Sequence, residues 1–504
     1  SLLQAGGVRV DGGSGRLQAW AQLRARRVSA VTVVADLTQV QLSGAPLAGE
    51  SARRTLKWER LQARARWQTV AGGWRLDAPQ LRLGCANTLQ HLDGLSIAAG
   101  RRYAVVGDAL DVSGLIAAAA LSDQLSPGLR RWLALSRPQL RVSKLQLAGE
   151  QGGAVRAQGQ VEELAFQPVG KSPGISGLRG HFDGDAQAVA LQTAPDATLR
   201  FDWPTGFGVV HEVQLAGSIV GWRDGDGWQV ATPALRVQAK DYGANLRGGM
   251  WFENDGTRPR ISLAAQLDDA ALPVARKFWI RSKMSKAAID WLDMAVAGGV
   301  ITGGTGLVSG DLDDWPFDNN DGRFEAFGQI RDGEIRFQPD WPAMTQVQAD
   351  LRFIGNGFSL QGSGALAGTP VAQFEAGIPN FATSELYVRA STQADTAQLL
   401  GMLRSSPLER RYGDTLRNLT TSGPAAVTFD LLRPLRTKGV GGHLQGTVAL
   451  QGAKLADARW NLAFDQVSGQ AEYRDSGFGA EHLSVQHQGR TGELALRAGG
   501  FVQD

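Results

Sequence analysis

The fold prediction starts from the stretch Arg64–Leu83, RARWQTVAGGWRLDAPQLRL. A distant stretch, Gly217–Gln238, repeats its layout as GSIVGWRDGDGWQVATPALRVQ. In both stretches a strand-like run ends at a first Trp, a Gly-rich turn follows, and a second Trp precedes a Pro by five residues. A β-hairpin that recurs in this way predicts an extended sheet built by repetition, in which each copy adds two strands.

Alternation of apolar and polar residues with period two continues through most of the chain. Such alternation favours antiparallel strands with one buried face and one face in water. Between two alternating runs, Asn356-Gly357 predicts a hairpin turn. The apolar positions of these runs are our candidate groove lining: Leu81, Leu83, Val213, Leu215, Ile219, Leu235, Val237, Val347, Leu351, Phe353, Phe358, Leu360, Val427, Phe429, Leu431, Leu483 and Val485.

Three stretches interrupt the alternation and predict short helices. In the second of them, Ala288, Trp291, Leu292 and Ala295 recur at helical spacing. Each interruption leads back into alternating strands, so we expect a larger repeat of sheet, helical insert and sheet. The predicted segments are β-sheet at 1–107, 141–267, 299–392 and 421–504, and helical inserts at 108–140, 268–298 and 393–420.

The tripeptide Asp-Trp-Pro occurs at 202–204, 314–316 and 340–342. Proline cannot donate a backbone hydrogen bond to a sheet, so each copy predicts a strand end or edge. Either the Trp covers the sheet edge, or its amphipathic ring faces lipid at a rim. The acidic run Asp311–Asp321 predicts a solvated turn, because it lacks the ligand order of a calcium loop.

Composition fits a sheet with many tight turns. Glycine contributes 64 of 504 residues, well above the usual share of about 7%. The formal net charge is +3 and Arg is spread along the strands, so we expect no nucleic-acid partner. A single Cys, Cys85, excludes an intrachain disulfide. No apolar run reaches the roughly 18–20 residues of a membrane-spanning helix.

No motif predicts a catalytic site, a metal site or a cofactor. The 6 His residues show no metal-ligand spacing, and no nucleophilic-serine, P-loop or dinucleotide motif is found. Carboxylate pairs of the glycosidase type are set by the fold and leave no sequence spacing. A polysaccharide-binding or polysaccharide-cleaving β-solenoid therefore remains an alternative function, and so does an envelope scaffold without transport.

Residues 279–310, WIRSKMSKAAIDWLDMAVAGGVITGGTGLVSG, resemble the YhdP family of AsmA-like proteins of Gram-negative bacteria. The motifs Trp315–Phe317 and Pro339–Pro342 strengthen this resemblance, and so do residues 407–435, PLERRYGDTLRNLTTSGPAAVTFDLLRPL. The resemblance is most specific in the centre and the C-terminal half. In the N-terminal part it rests on pattern more than on motif.

The resemblance implies a long, twisted antiparallel sheet curled into an elongated groove. It implies that the groove moves glycerophospholipids through the periplasm, between the inner and the outer membrane, in a protein tethered to the inner membrane. This chain would be a middle section without catalytic residues or a cofactor. Its partners would be phospholipids, both membranes through parts outside this chain, and envelope proteins. The apolar positions given above would line the groove, with Arg and Lys at its rim near the head groups.

Overall fold

The structure is a computed structural model that describes residues 4–85, 88–253, 257–435, 441–474 and 477–499. Among the residues so described, strands make up 67% and helices 11%. The described strands belong to one antiparallel sheet. The predicted mainly β, antiparallel fold is therefore confirmed.

Most strands pair with the strands that precede and follow them in the chain. They are β1 (Gln4–Ala5), β2 (Val8–Arg24), β3 (Arg27–Gly44), β4 (Arg54–Val70), β5 (Gly73–Cys85), β6 (Thr88–Gly100), β7 (Arg102–Asp111), β8 (Gln139–Glu150), β9 (Val155–Phe166), β10 (Gly174–Asp185), β11 (Ala188–Thr193), β12 (Thr198–Asp202), β13 (Val210–Asp224), β14 (Gly227–Gln238), β15 (Gly243–Phe252), β16 (Arg260–Leu267), β17 (Ala270–Ala271), β18 (Val296–Asp311), β19 (Gly322–Ile335), β20 (Met344–Ile354), β21 (Gly357–Leu366), β22 (Thr369–Ile378), β23 (Glu385–Asp395), β24 (Leu419–Ser422), β25 (Pro424–Pro434), β26 (His443–Asp457), β27 (Leu462–Arg474), β28 (Gly477–His487) and β29 (Arg490–Gly499).

Short helices interrupt the strands within the three segments where helical inserts are predicted. They are α1 (Ser113–Ala119), α2 (Pro127–Ser136), α3 (Lys286–Ala295), α4 (Thr396–Arg404) and α5 (Leu408–Asn418), with 3₁₀ turns at Leu272–Phe278 and Arg281–Lys283. Side-chain oxygens cap several of them, as Ser285 does for α3 by accepting from the Ala288 N–H at 3.1 Å. Asp395 caps α4, and its hydrogen bonds from backbone N–H groups lower its pKa.

The chain forms two compact units. Unit 1 contains Ser1–Lys240 and Asn245–Leu263, and unit 2 contains Asp241–Ala244 and Ala264–Asp504. Helices α1 and α2 therefore belong to unit 1. The other helices and both 3₁₀ turns belong to unit 2.

The two Trp-bearing stretches form hairpins, as predicted. β4 joins β5 where Val70 pairs with Gly73. β13 joins β14 where Asp224 pairs with Gly227. Each hairpin thus contributes two neighbouring strands to the sheet of unit 1.

The first Trp of the hairpin occupies different faces in the two copies. The residue opposite Trp67 is two positions from Trp74, so both rings lie on one face of the sheet. The residue opposite Trp222 is directly next to Trp228, so these two rings lie on opposite faces. A register shift of one residue places a side chain on the other face of the sheet. The repeat therefore holds for the strands and the turn, and the two copies differ in the face that carries the first Trp.

The turn predicted at Asn356-Gly357 is wrong by one residue. Ile354 pairs with Gly357, so Gly357 is already the first residue of β21. In this register Leu351 lies opposite Leu360. A turn at the predicted position would place a glycine opposite Leu351. Cross-strand pairs of large apolar side chains stabilise a sheet, which favours the observed register over the preference of Asn-Gly for turns.

In unit 1 the four neighbouring strands β5 to β8 each contain a β-bulge. At the same position along the sheet, each of them has one residue more than β4 or β9. In a regular strand, two residues that are five positions apart point to opposite faces. One extra residue between them, a β-bulge, places both on the same face. β4 and β9 lack the extra residue, and the pairing register shifts where they meet the bulged strands. The apolar pairs that the bulges bring to one face are Leu76 with Leu81, Leu92 with Ile97, Val105 with Leu110, and Val142 with Leu147.

The bulge of β6 requires a glycine. Gly94 has φ of 68°, and a Cβ there would stand 2.1 Å from a carboxylate oxygen of Asp108. We expect Gly94→Ala to lower the free energy of unfolding by at least about 1 kcal/mol, because the left-handed region is costly for residues with a Cβ.

A matched variant lies in the bulge of β8. Lys144 has φ of 52°, so Lys144→Gly relieves the same strain and should change stability by less than about 1 kcal/mol. Urea unfolding followed by tryptophan fluorescence measures both variants. Equal destabilisation by the two substitutions would contradict the assignment of strain to the bulges.

The three Asp-Trp-Pro copies all follow strands, as predicted. The first begins at the end of β12, and the others lie in the loops that lead from β18 to β19 and from β19 to β20. The Nε1–H of Trp203 donates to the Lys171 carbonyl at 2.8 Å, and the Trp315 ring packs 5.2 Å from that of Phe317. The first of these rings is thus fixed to a neighbouring loop, and the second packs both within its own loop and on Phe324 of β19.

Candidate functional site

The apolar face of unit 1 consists of two rows of side chains, one on each side of the bulges. The row nearest α1, which we call the closed row, contains Leu81, Leu92, Leu110 and Val142. The second row, which we call the open row, contains Trp67, Leu76, Ile97, Val105 and Leu147. The closed row is buried except at Leu81, whereas every open-row side chain is partly exposed.

Helix α1 covers the closed-row end of the strands. Leu83 is only 1% exposed and forms one buried cluster with Leu92 and Leu110. The helix approaches closely because Gly114 has no side chain: a Cβ there would stand 2.3 Å from Cδ1 of Leu83. Burying a Leu side chain contributes about 1.5–3 kcal/mol. The closed row and α1 therefore form ordinary protein core.

Helix α2 is fixed in place by a buried cation. Arg130 is 7% exposed, and its guanidinium donates to the carbonyls of Ala45 at 2.6 Å, Pro46 at 3.2 Å and Ala120 at 3.3 Å. Buried charges are tolerated when they are hydrogen-bonded in this way. The guanidinium thus links α2 to the end of α1 and to the loop between β3 and β4.

The face that carries the open row continues onto later strands of unit 1, where Leu147 pairs with Ala157 and Ala157 with Gly184, two residues from Phe182. Phe182 of β10 pairs with Leu191 of β11, which in turn pairs with Ile219 of β13. All three side chains are partly exposed. Apolar side chains aligned across several neighbouring strands form a continuous surface on which hydrocarbon can lie without meeting charge.

The opposite face of the same strands is polar. Partial burial acts to raise the pKa of Asp77, but hydrogen bonds from Ser96 and Arg75 lower it overall. Hydrogen bonds from Arg60 and Gln62 likewise lower the pKa of Asp36. These carboxylates stay ionised at neutral pH. At the level of the open row this polar face carries Arg66, Asp77, Ser96, Val106 and Gln146.

In unit 2 a helix covers the apolar face of β19 to β23. Ala288 and Leu292 of α3 are 0% and 4% exposed, and they belong to one buried cluster with strand residues such as Val347, Ile378 and Leu386. Trp279, which precedes the helix, and Trp291, which lies within it, have rings 6.3 Å from Phe353 and 6.2 Å from Phe358 respectively. The helical insert therefore occupies the apolar face of these strands.

Hydrogen bonds hold the two ends of this insert. At the N-terminal end, the hydroxyl oxygens of Ser285 and Ser384 are 2.7 Å apart, and Lys283 donates to the Trp315 carbonyl at 3.0 Å. Closer to the other end, the Nε1–H of Trp291 donates to the Phe337 carbonyl at 3.0 Å. These contacts involve loops at both ends of the strands.

The 3₁₀ turn that precedes α3 packs on an aromatic side chain. The Tyr242 ring lies 5.0 Å from the Phe278 ring. The Lys277 ammonium lies 6.0 Å from the centroid of the Tyr242 ring. Burial, followed by the charge of Asp241, raises the pKa of Tyr242 to about 12. The phenol is therefore neutral at physiological pH and can pack against the insert without a buried charge.

Beyond the insert, the apolar face of unit 2 is open again on β25 to β27. Val427 pairs with Val448, and Phe429 pairs with Gly446. All of them are partly exposed. On β28, Leu483 and Val485 are 1% and 4% exposed, and they form a buried cluster with Val467 of β27. Covered and open stretches thus alternate along this face.

A cavity of about 520 Å³ lies on the polar face of unit 2. Two rows of mostly polar side chains form its walls, Thr428 and Thr447 in one row and Arg389 and Asp430 in the other. Phe374, Ala390, Phe429, Gly446 and Tyr473 lie between these rows and also line the cavity. The lining is therefore mixed, with both polar and apolar residues.

The predicted lining residues fall into two groups. Partly exposed ones are Leu81, Ile219, Val237, Leu351, Phe353, Val427 and Phe429. Buried ones are Leu83, Val213, Leu215, Leu235, Val347, Phe358, Leu360, Leu431, Leu483 and Val485. In unit 2, Val347, Leu351, Phe353, Phe358 and Leu360 come together beneath α3, which the sequence pattern does not reveal.

The prediction omits the whole open row. Trp67, Leu76, Ile97, Val105 and Leu147 lie on predicted strands but are absent from the predicted lining. A signal is present in the sequence: in β5 and β6 a second apolar residue stands five positions from the first. In a regular strand, two residues separated by an odd number of positions lie on opposite faces. Only the bulges place these pairs on the same face, and the sequence does not reveal the bulges.

Within the part of the chain that the structure describes, no cluster of three or more His, Cys, Asp and Glu side chains could hold a metal ion. Among these same residues, no helix has both the length and the apolar character needed to cross a membrane.

The protein family described as YhdP protein matches residues 2–498. The chain belongs to the YhdP family. This confirms the resemblance drawn from the central motifs and extends it to the N-terminal part. Within the family, the intermembrane phospholipid transporter YhdP of Escherichia coli (strain K12) is 24% identical over 460 residues. The aligned region covers 88% of this chain and 36% of the relative's length. No solved structure matches the chain.

Proposed function

We propose that the chain is a periplasmic section of a conduit that carries glycerophospholipids between the inner and the outer membrane. The observation that carries this proposal is the open row, an apolar and partly exposed stripe opposite a charged face. The family relative is named as an intermembrane phospholipid transporter, which supports the same substrate class. In this proposal the conduit reaches the inner membrane, to which it is tethered, and the outer membrane through segments beyond this chain.

An apolar face of this kind removes the free-energy cost of exposing lipid tails to water. Each CH₂ group exposed to water costs about 0.8 kcal/mol, so a two-tailed lipid crosses an aqueous gap very slowly. The open row offers apolar contact on strand after strand, at spacings of about 4.8 Å. A tail can therefore move from one strand to the next without leaving apolar surroundings.

Head groups would remain in water beside the sheet. The hairpin turns nearest the open row carry Arg24, Arg26, Arg27, Arg101 and Arg102. Cations at the edge of an apolar face suit phosphate groups, because Arg donates several hydrogen bonds to one phosphate. Precise polar pockets would slow sliding, so a diffuse basic rim is what transport requires.

The proposal is tested by lipid extraction. The purified chain, washed free of detergent, should retain glycerophospholipid that mass spectrometry detects after solvent extraction. A variant with Leu76→Asp and Leu147→Asp, which places two charges in the open row, should retain far less while keeping its strand content by circular dichroism. Protein that carries no phospholipid in either form would overturn the proposal.

A further inference from the structure

The sheet beneath α3 has the same apolar chemistry as the sheet beside it. Phe374 pairs with Ala390, and Ala390 pairs with Phe429. This row begins in the cluster under the helix, where Phe374 is 4% exposed. It continues to the partly exposed Phe429. The strands therefore do not distinguish a position covered by the helix from a position open to a tail.

Helix α3 lies across the face from one end of the strands to the other. Its C-terminal end leads directly into Val296, which pairs with Ile335 close to Met344 at the start of β20. Its N-terminal cap contacts Ser384, in the loop that follows the other end of these strands. A tail moving along the rows would have to cross the helix.

The helix is built as a cover with two different sides. Ala288, Ile289 and Leu292 face the sheet and are buried. On the outer side, Lys286 and Asp290 form an ion pair with side chains 87% and 59% exposed. Extended residues at Met284 and Ser285 separate the helix from the 3₁₀ turn before it. A segment jointed in this way can leave the sheet without unfolding the strands.

We propose that the face of β19 to β23 is a second acyl-chain site and that α3 is its displaceable cover. This inference rests on the proposed function and adds regulation to it. Tails and helix compete for the same apolar surface. With the helix seated, lipid is confined to open parts of the sheet; with the helix displaced, tails contact Leu351, Phe353 and Leu360.

A disulfide across the Ser285–Ser384 contact tests the proposal. The two hydroxyl oxygens are 2.7 Å apart, so Cys residues at both positions can form a bond that locks the helix on the sheet. The variant is S285C/S384C, with Cys85→Ser because Cys85 is the chain's single cysteine. The matched control lock is S14C/T38C in the same background, where the hydroxyl oxygens lie 3.1 Å apart between β2 and β3.

The purified chain is incubated with vesicles of phosphatidylethanolamine that carries a diazirine on one tail, then irradiated, digested and mapped by mass spectrometry. Cross-links on peptides of β20 and β21 should be present under reducing conditions and lost on oxidation of S285C/S384C. They should persist in oxidised S14C/T38C. Peptides of β5 to β8 should be cross-linked in every case.

Other outcomes overturn the inference in distinguishable ways. Equal cross-linking of β20 and β21 in the locked and reduced forms would show that α3 does not cover a tail site. Cross-links on β5 to β8 with none on β20 and β21 in the reduced form would show that α3 is permanent core, while the proposed function survives. An absence of cross-links from both regions would overturn the cover and the proposed function together.

Discussion

Val105→Asp is expected to lower phospholipid capture by at least about tenfold, which corresponds to about 1.4 kcal/mol of lost binding free energy. Val105 lies in the middle of the open row, between Ile97 and Leu147, and its side chain is partly exposed. An ionised carboxylate there would lose hydration whenever a tail covers it, without a cation to compensate. Photocross-linking of tail-labelled phospholipid to the purified chain measures the change.

The neighbouring residue supplies a matched control. Val106 is 42% exposed and pairs with Ser96 and Gln146 on the polar face. Val106→Asp has the same change in charge and strand propensity, and it should leave lipid capture close to that of the parent chain. Thermal melts should show both variants folded. Equal loss of capture in the two variants would contradict the assignment of tails to the apolar face.

Ile378→Ala is expected to destabilise unit 2 by about 2–5 kcal/mol, the usual cost of truncating a large buried side chain. Ile378 is 0% exposed and packs in the cluster that joins α3 to the sheet. The cavity left by the substitution cannot fill with water. Amide hydrogen exchange should therefore become faster in peptides of β20 to β23 and α3. The fall in their opening free energies should equal the loss of unfolding free energy.

Ile354 serves as the control for that experiment. It has the same side chain and ends β20 of the same unit, but it is 60% exposed. Ile354→Ala should change exchange in these peptides by less than about 1 kcal/mol. If Ile378→Ala were equally mild, the assignment of Ile378 to a tightly packed cluster would be contradicted.

Alternation predicts the strands of this chain well because it reports a local property. In β20 Val347 and Ala349 are buried and Gln348 between them is exposed, as period two requires. The pairing of β4 with β5 and of β13 with β14 also follows from the sequence, since a short Gly-containing turn leaves a hairpin as the simplest connection.

Which apolar residues stay open could not be predicted in the same way. Leu83 and Ile97 have the same character in sequence, yet Leu83 lies under α1 and Ile97 lies beyond the bulges. The spacing of Ala288, Leu292 and Ala295 predicts a helix with an apolar side. It does not state which strands that side covers, because that contact joins residues distant in the chain.

The most direct test of the central claim compares two adjacent positions of β6 in living cells. A photoreactive amino acid is placed at Ile97 on the open row or at Ser96 on the polar face, in the full-length protein that contains this chain. Irradiation should yield phospholipid adducts at position 97 and none at position 96. Adducts at both positions, or at position 96 alone, would contradict the claim that lipid tails travel on the apolar face.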